Sequence, residues 1–535
     1  HEAAATWMEQ RAGDRLADDA LRIASQLTAA ANAHEEDGED ATAADQRSHV
    51  FRLMLKAGDR LRGLGVEDTA SRLAEAVQAD HATADLAELQ RQRAMALARV
   101  GRLTEAADAA RMGLEAARQV DDRPLQARLN AVVGEVHWLR GDTASCMGAL
   151  EEAMALVDDL PRDRAATEAL ASVAFITALL GRPAEAIALA ERGLILARDH
   201  GLADREVRCL NARGAATLLQ GNIEGYNDFV RALTRALEAG LGHESAMAYH
   251  NLAELQLQGV GTATSSEMNE RGLDLAERRG LTLAADWLRA NRVQVFFEAG
   301  RWDEALDIAG EVIVSEARSG HGQAGTMCAV WAARIHVWRG DLDHARRLID
   351  MSLPRARQHA VIQQVGPALI VAGLLATASG RPDLGAAYAD EYCALTEATR
   401  AYRHMEIADV VRLLVAASRT DRAAAAADSD VIPTFRNECE SRTAEATLAR
   451  ARGDPNTVDT FYLAAELWRA FGHPLEEHLA LRSALRSALG SALGSAAAVR
   501  IDPGAAERSE RLAASLRLGS ETVATLCGHD AALSA

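Results

Sequence analysis

The sequence contains few aromatic, cysteine and proline residues and almost no lysine. Of its 535 residues, 4% are aromatic, ten are Pro and six are Cys, and Lys56 is the only lysine. The cysteines form no C-x-x-C pair, which excludes a disulfide framework and a zinc knuckle and is typical of a reducing cytoplasm. Because Lys56 follows Leu55 instead of a glycine, no phosphate-binding loop of the form GxxxxGK[ST] is present. We therefore expect a cytoplasmic chain that does not itself hydrolyse nucleotides.

Basic charge is also scarce, with 58 basic against 77 acidic side chains and a net charge of −19. Proteins that bind nucleic acid through its phosphates normally carry a surplus of basic residues on one face. The sequence also lacks an apolar run of about 18 residues for a membrane span, and it lacks a signal peptide. We expect no nucleic-acid partner and no membrane partner. Since the chain begins at His1 without an initiator Met, we also expect it to be part of a longer protein.

A glycine followed by a polar residue recurs between apolar segments at a nearly constant interval. The spacing is 40 residues, with a single step of 39. The glycines of this series are Gly101, Gly141, Gly181, Gly221, Gly261, Gly300, Gly340 and Gly380. Self-similarity at a fixed period of this length is the signature of a repeat architecture.

Each repeat carries helix signals on both sides of its glycine. Leu129, Val132 and Val136 recur at helical spacing before one glycine, and Leu150 and Met154 do so after it. Glycine accepts the left-handed conformation that ends many helices, so we expect each glycine to end the first helix of a pair. The unit is therefore predicted to be an antiparallel helix pair.

Small residues recur seven positions before and five positions after the glycines, as at Gly373 and Gly385. Short side chains at these positions predict a close crossing of the two helices, and stacked pairs then bury one another's apolar faces. The predicted fold is all-α, a right-handed superhelical solenoid of about ten to twelve antiparallel helix pairs. The expected organisation is a helical connector over 1–50, repeats over 51–420, degenerate repeats over 421–486, and a low-complexity linker with a terminal helix over 487–535.

The small residue before the turn and the alanine after it, as at Ala174 and Ala186, resemble the tetratricopeptide repeat, although the usual period is about 34 residues. Such lengthened repeats are similar to the sensor superhelix of large bacterial multidomain signalling ATPases of the STAND/AAA type, which include the maltotriose-responsive activator family. The stretches 1–9 and 464–477 carry further likeness to that group, and the resemblance covers roughly residues 50–485. It implies a covalently linked ATPase upstream, with an adenylate or guanylate cyclase domain before it.

Aromatic residues are concentrated in two repeats, where a ligand site is one interpretation. Trp287, Phe297, Arg334 and Trp338 have spacings that could direct them to the concave side of the superhelix. Aromatic walls with an arginine suit a small organic molecule, a sugar or a peptide. The alternative is that these side chains fill the core where the repeat has few leucines.

A second candidate site is a series of asparagines spaced 40 residues apart, at Asn211, Asn251 and Asn291. Amide side chains along a groove can bind an extended peptide backbone, and bridging of neighbouring helices is the alternative role. His243 and His250 lie two helical turns apart and could hold a metal, although a polar surface role is favoured. We expect no catalytic residues, no metal and no cofactor.

The sequence thus favours a non-catalytic sensor or protein-interaction region of a larger cytoplasmic signal-transduction ATPase, associated with a nucleotide cyclase. The expected partner is a protein, a peptide or a small-molecule effector in the concave groove. One alternative is a stand-alone scaffold that binds peptides or proteins. Another is the effector-binding region of a transcriptional regulator of the LuxR type, although the last segment is too short for that group's DNA-binding domain.

Overall fold

The computed structural model describes residues 1–12, 16–57, 83–158, 160, 162–319, 323–359, 361–397, 405–428, 434–494 and 504–527. Within these residues every regular element is an α-helix. The first three helices are α1 (Glu2–Ala12), α2 (Leu16–Glu36) and α3 (Asp40–Ala57). The fold is an all-α, right-handed superhelical solenoid of antiparallel helix pairs of the tetratricopeptide-like kind, as predicted.

Sixteen helices then follow as eight consecutive pairs. They are α4 (Thr83–Arg99) and α5 (Leu103–Gln119), α6 (Arg123–Leu139) and α7 (Thr143–Val157), α8 (Arg164–Leu179) and α9 (Pro183–Asp199), α10 (Ala203–Leu219) and α11 (Gly225–Glu238), α12 (Gly242–Gly259) and α13 (Thr262–Arg278), α14 (Thr282–Glu298) and α15 (Trp302–Ser319), α16 (Gln323–Arg339) and α17 (Leu342–His359), and α18 (Ile362–Ala378) and α19 (Pro382–Thr396). The helices α5 and α6 are typical, with 17 residues each. Two such helices and two short links give the 40-residue period.

The glycine turns inside the pairs have the predicted left-handed conformation. All eight glycines of the series have a positive φ, from 75° at Gly181 to 127° at Gly261. A second series of left-handed residues, which the sequence analysis missed, lies in the links between pairs at Gly201, Gly240 and Gly280. Both connections of these repeats therefore end a helix in the same way, and the two helices of a repeat have similar lengths.

The close crossing predicted from small residues is clearest between α18 and α19. A Cβ atom placed on Gly385 would lie 3.0 Å from the Gly373 carbonyl oxygen and 2.1 Å from Thr377 Oγ1. Neither glycine leaves room for a side chain, because the two backbones approach each other directly. The prediction of a close crossing is confirmed in this pair.

Seven further helices complete the described chain. They are α20 (Ile407–Ala416), α21 (Thr420–Ala427), α22 (Phe435–Arg452), α23 (Thr457–Phe471), α24 (Pro474–Gly494), α25 (Ala505–Leu516) and α26 (Ser520–Leu526). The segment 487–535 was expected to begin with a linker, but α24 continues to Gly494, and two helices follow where one was expected. Part of the expected low-complexity linker falls on residues 495–503, which lie outside the described residues.

The superhelix winds tightly enough for successive turns to touch. Arg99 at the end of α4 forms an ion pair with Glu244 at the start of α12, at 3.3 Å. Thr143 at the start of α7 donates a hydrogen bond to the carbonyl oxygen of His359, at the end of α17, at 2.6 Å. These contacts join residues 145 and 216 positions apart in the chain. The edge of the early repeats therefore packs against later repeats.

The C-terminal helices cover the same edge of the later repeats. The hydroxyl of Thr262 donates to the Gly472 carbonyl oxygen at 3.3 Å, and the Gly519 amide donates to the Trp338 carbonyl oxygen at 2.9 Å. Two large apolar clusters result, one built from residues between Ala5 and Ala236 and the other from residues between Ala290 and Cys527. No described helix is both long and apolar enough to cross a membrane.

Candidate functional site

Alternating charges follow the inner face of the first helices at the repeat period. Glu88, Arg128, Glu168 and Arg208 stand 40 residues apart on α4, α6, α8 and α10. Arg128 bridges its two neighbours, with Nη1 3.1 Å from Glu88 Oε2 and Nε 2.8 Å from Glu168 Oε2. Arg208 pairs instead with Glu135, at 2.8 Å. We call these four residues of the repeat period the charge ladder.

Glu88 of the charge ladder is ionised at neutral pH despite its burial. Burial raises the pKa of the Glu88 carboxyl, but the charge and hydrogen bond of Arg91, together with Arg128, outweigh it and lower the pKa to about 2. The side chains of Glu88, Arg128, Arg208 and Glu135 each keep a partial exposure of 16–21%. Fixed charges with access to solvent are therefore available along this face.

Three aromatic rings pack together beside the charge ladder. Trp287 of α14 stacks on Trp138 of α6, with ring centroids 6.3 Å apart, and the tilted ring of His250 of α12 lies 5.9 Å from that of Trp287. Trp138 Nε1 and His250 Nδ1 are buried and have no hydrogen-bond partner among the described residues. Burial lowers the pKa of His250 to about 4, so its imidazole is neutral at pH 7. We call Trp138, His250 and Trp287 the aromatic row.

The three predicted asparagines differ in their environments. Asn211 is buried and its Oδ1 has no hydrogen-bond partner in the part of the chain that the structure describes, whereas Asn251 is half-buried. Asn291 is buried and bridges helices: its Nδ2 donates to Glu254 Oε2, and its Oδ1 accepts from Asn269 Nδ2, both at 2.9 Å. The helix-bridging role thus applies to Asn291. Asn211 and Asn251 occupy equivalent positions on α10 and α12, and Asn251 directly follows His250 of the aromatic row.

Three other predicted site residues lie in a closed part of the interior. Phe297 and Trp338 are 1% and 0% exposed. Phe297 stacks on Trp302 at 5.8 Å, and the guanidinium of Arg334 lies 5.2 Å from its ring centroid. These side chains fill the core, which was the alternative interpretation of the aromatic cluster. The structure therefore separates Trp287, which lies in the aromatic row, from Phe297, Arg334 and Trp338, which are buried in the core.

A dense ionic network surrounds Arg334. The guanidinium of Arg334 contacts Glu406 at 2.9 Å and also pairs with Asp409, and Arg412 contacts Asp409 at 2.6 Å and also pairs with Glu476. All five side chains are at most 6% exposed. Since each arginine has two carboxylates as partners, its charge is already satisfied within the protein. We call this set the closed network.

A second buried pair extends the closed network toward α14. Arg436 Nη1 lies 2.6 Å from Glu298 Oε1, and both side chains are almost completely buried. Burial alone would lower the pKa of Arg436, but the Glu298 and Glu440 carboxylates more than offset it and raise the pKa. Burial raises the pKa of Glu440 well above its ordinary value. Carboxyl groups outnumber arginines here, so we expect one of the carboxyl groups to be protonated.

The sequence analysis missed both ionic arrangements, although a signal for the charge ladder was present. Glu88, Arg128, Glu168 and Arg208 alternate in sign at the same 40-residue interval as the glycines, so aligning the repeats on their glycines would reveal them. The partners of Arg334 carry no such signal. They come from helices outside the regular period, where spacing gives no information about contacts.

Comparisons with known proteins support the fold and give no information about function. No protein-family model and no curated protein matches the sequence. Among solved structures, a Rap protein complexed with Competence and Sporulation Factor is 12% identical, with a TM-score of 0.48 over 65% of this chain and 98% of that chain. A human IFIT1 dimer with m7Gppp-AAAA is 13% identical, with a TM-score of 0.41 over 75% of this chain and 88% of that chain.

A third similar structure is a STAND protein with a tetratricopeptide repeat sensor from Pyrococcus horikoshii. It is 15% identical, with a TM-score of 0.36 over 65% of this chain and 55% of that chain. These three proteins share a helical-repeat architecture, but identities this low carry no argument about a ligand. The chemistry of the site must therefore be argued from this chain's own residues.

Proposed function

We propose that this chain is a non-catalytic sensor or protein-interaction region, and that it binds its ligand between the charge ladder and the aromatic row. The observation that carries the proposal is a pair of buried polar atoms, Trp138 Nε1 and His250 Nδ1, in the two rings that pack against Trp287; neither has a hydrogen-bond partner among the described residues. Buried polar groups are normally paired, because leaving one unpaired costs roughly 1–3 kcal/mol. A ligand with both donors and acceptors would pair with them.

The chemistry of these groups favours an extended peptide or an uncharged effector with aromatic or apolar parts. Trp287 and Trp138 supply flat apolar surface, and the amide of Asn251 supplies both a donor and an acceptor. The partly exposed Arg208 and Glu135 would select for the ends or the charged side chains of the ligand. The closed network contributes no ligand contacts, because its arginines and carboxylates already pair with one another.

We further propose that the intact protein is a cytoplasmic signalling ATPase with a nucleotide cyclase domain upstream. The likeness of residues 1–9 and 464–477 to that group supports this proposal. Ligand binding would then shift the superhelix between two states that hold or release the ATPase. Sequencing the gene upstream of His1 tests it, since a phosphate-binding loop and a cyclase domain are expected there. A start codon directly before His1 would contradict it.

The ligand site is tested by thermal shift of the full chain against a panel of small effectors and unstructured peptides. We expect at least one member to raise the melting temperature, and Trp287→Ala and Asn251→Ala to weaken its binding at least about tenfold, a loss of roughly 1.4 kcal/mol. Trp7→Ala is the matched control, because Trp7 is 56% exposed on α1 and distant in sequence from the site.

The outcomes of this test distinguish the partner classes. Equal binding by wild type, Trp287→Ala and Asn251→Ala would place the ligand elsewhere and overturn the site. The net charge of −19 argues against nucleic acid, so a single-stranded RNA oligonucleotide belongs in the panel as a negative control. Tight, salt-dependent binding of that oligonucleotide would contradict the peptide or small-effector proposal.

One observation favours a second candidate function, a stand-alone scaffold that binds proteins on its outer surface. Tyr226, Val230 and Leu237 form an apolar stripe along α11, and Ile223 lies just before this helix; each is between 37% and 54% exposed. Exposed apolar stripes on a helix are typical of protein-interaction surfaces. Val230→Glu should abolish capture of a partner protein through this surface and leave thermal shifts by small ligands unchanged. If Val230→Glu captures partners as well as wild type does, the scaffold function loses its support.

A further inference from the structure

The turn between α16 and α17 brings together two histidines and an aspartate. His336 lies in the last turn of α16, Asp341 precedes α17, and His344 lies in the first turn of α17. One ligand atom from each of the three side chains lies within 4.8 Å of the others. Among the described residues, these three form the single group of histidine, cysteine and carboxylate side chains with metal-binding geometry. His243 and His250, the pair considered from the sequence, do not form such a group.

The distances in this cluster match metal coordination better than hydrogen bonding. Asp341 Oδ2 lies 3.4 Å from His336 Nδ1 and 3.6 Å from His344 Nδ1. Hydrogen bonds between nitrogen and oxygen usually span about 2.7–3.2 Å. Two ligand atoms about 2.0–2.1 Å from a tetrahedral Zn²⁺ lie approximately 3.3–3.4 Å apart. The two nitrogen–oxygen separations are close to this value, and an ion between the three atoms would require the imidazole rings to turn out of their stacked arrangement so that both lone pairs point at it.

The local structure fixes the carboxylate and places the two imidazoles side by side. The backbone amide of His344 donates to Asp341 Oδ1 at 3.2 Å, which fixes the carboxylate and leaves Oδ2 available to both rings. The two imidazole rings stack with centroids 4.2 Å apart and planes inclined by 9°.

We propose that His336, Asp341 and His344 bind a divalent transition metal ion, with Zn²⁺ as the ion of choice for two imidazoles and one carboxylate. Asp341 and His344 are about half-exposed, so water would complete the tetrahedral coordination from the solvent side. The ion would fasten the end of α16 to the start of α17. This turn also contacts the C-terminal helices, because a Cβ atom on Gly340 would lie 3.4 Å from Thr522 Oγ1.

An equivalent turn in the same chain provides a matched control. At the end of α6, His137 Nδ1 lies 3.2 Å from Asp142 Oδ2, and Ser145 N donates to Asp142 Oδ1 at 3.1 Å. The arrangement copies the first two ligands and the cap of the proposed site. The position of the third ligand is taken by Ser145, which is exposed. His344→Ser therefore converts the proposed site into this natural turn, and Ser145→His does the reverse.

The experiment is calorimetric titration of the full chain with Zn²⁺ alone in a chelator-free buffer. We expect wild type to bind one equivalent of Zn²⁺, at least about 10–100-fold more tightly than His344→Ser does. A loss of this size is seen even when only an outer partner of a metal ligand is removed. We expect Ser145→His to gain a second equivalent. Replacing Zn²⁺ with Co²⁺ should give visible absorption bands in wild type and not in His344→Ser.

Equal binding of Zn²⁺ by wild type and His344→Ser would overturn the proposal. The proposal would also be overturned if Ser145→His folds normally but binds no second Zn²⁺, because the proposed site depends on the ligand spacing of this turn. Thiol binding does not confuse the comparison, since all six cysteines are common to the three proteins. Thermal shift supplies an independent readout: Zn²⁺ should raise the melting temperature of wild type more than that of His344→Ser.

Discussion

The inner faces of the early and late repeats use the same kinds of side chains in different ways. Around the charge ladder, the side chains of Glu88, Arg128, Arg208 and Glu135 keep 16–21% of their surface exposed, whereas Glu168 keeps 4%. In the closed network and around Arg436, the side chains are between 0% and 7% exposed. Apart from Glu168, arginine and glutamate therefore serve as accessible groups in one region and as core-filling groups in the other.

This difference in exposure shows that charged side chains inside a solenoid do not by themselves indicate a binding site. Taking a charge out of water costs several kcal/mol, and paired partners must supply the compensation. In the late repeats each guanidinium has two carboxylates, so its charge is already compensated within the protein. In the early repeats the charged side chains are mostly in contact with solvent, and neutral buried atoms such as His250 Nδ1 have no partner among the described residues. The late repeats also contain neutral atoms of this kind, such as Trp338 Nε1, but they lie in a closed core. Unpaired neutral groups beside solvated charges are the better indicator of a ligand.

The largest expected effect would come from removing one charge of the late region. Arg436→Met leaves Glu298 buried without its partner, which should destabilise the protein by about 3–5 kcal/mol. Arg208→Met leaves Glu135 partly solvated and should cost at most about 1 kcal/mol. Hydrogen exchange resolved by helix is the measurement, because a repeat protein does not unfold as a single unit. Faster exchange in α14 and α22 is expected for Arg436→Met.

Equal effects of Arg436→Met and Arg208→Met would remove the distinction between the two regions. The conservative variant Arg436→Lys is the control for lost volume. It keeps one positive charge but cannot contact two carboxylates in the planar geometry of a guanidinium, so it should fall between wild type and Arg436→Met.

Most of the fold was predictable from the sequence, because the turn glycines recur at the repeat period. A residue that must adopt a positive φ is nearly always glycine, so the turn at Gly101 or Gly380 is visible without any structure. The tight winding of the superhelix was not predictable. Contacts such as Thr143 to His359 depend on the small rotation between successive pairs, which accumulates over several repeats and leaves no periodic mark in the sequence.

The candidate site was partly predictable for a similar reason. Asn211, Asn251 and Asn291 recur at a 40-residue spacing, and Trp287 lies in the aromatic row. Phe297 and Trp338 are 41 residues apart, close to the same spacing, but helices after residue 405 cover them. Periodicity predicts which residues share a face of the solenoid. It does not predict whether other helices close that face.

A smaller effect is expected from the contact between successive turns of the superhelix. A Cβ atom on Gly141 would lie 1.7 Å from His359 Cδ2, whereas a Cβ atom on Gly181 meets nothing within 4 Å. Both glycines have φ near 76°, so alanine at either position costs about 1–2 kcal/mol of backbone strain. Gly141→Ala must also displace His359, whose ring Nδ1 is hydrogen-bonded to Gln364 Oε1 at 2.7 Å.

We therefore expect Gly141→Ala to lower the melting temperature more than Gly181→Ala, with a further loss of about 1 kcal/mol. Differential scanning fluorimetry of the two variants measures this difference. Identical melting temperatures would show that the turns of the superhelix do not press against each other in solution, and the early region would then be an open groove.

The smallest expected effect concerns pH and the aromatic row. Burial lowers the pKa of His250 to about 4 from its ordinary value of 6.5, so the unfolded chain binds a proton more readily than the folded one. Its contribution to stability is fully present above pH 6.5 and is lost as the pH falls toward 4. His250→Asn should therefore flatten the fall in melting temperature between pH 6.5 and 4. An unchanged pH profile would indicate that His250 already has a polar partner or is solvated.

Contact between distant turns also limits how this gene could evolve. In an open helical array, adding or deleting one complete unit changes the length and little else, because every unit touches only its immediate neighbours. Here the bond from Thr143 to His359 fixes how many units separate two points of the coil. A duplication of one repeat between them would displace all the residues that contact each other between turns. Contact between turns therefore fixes the number of repeats.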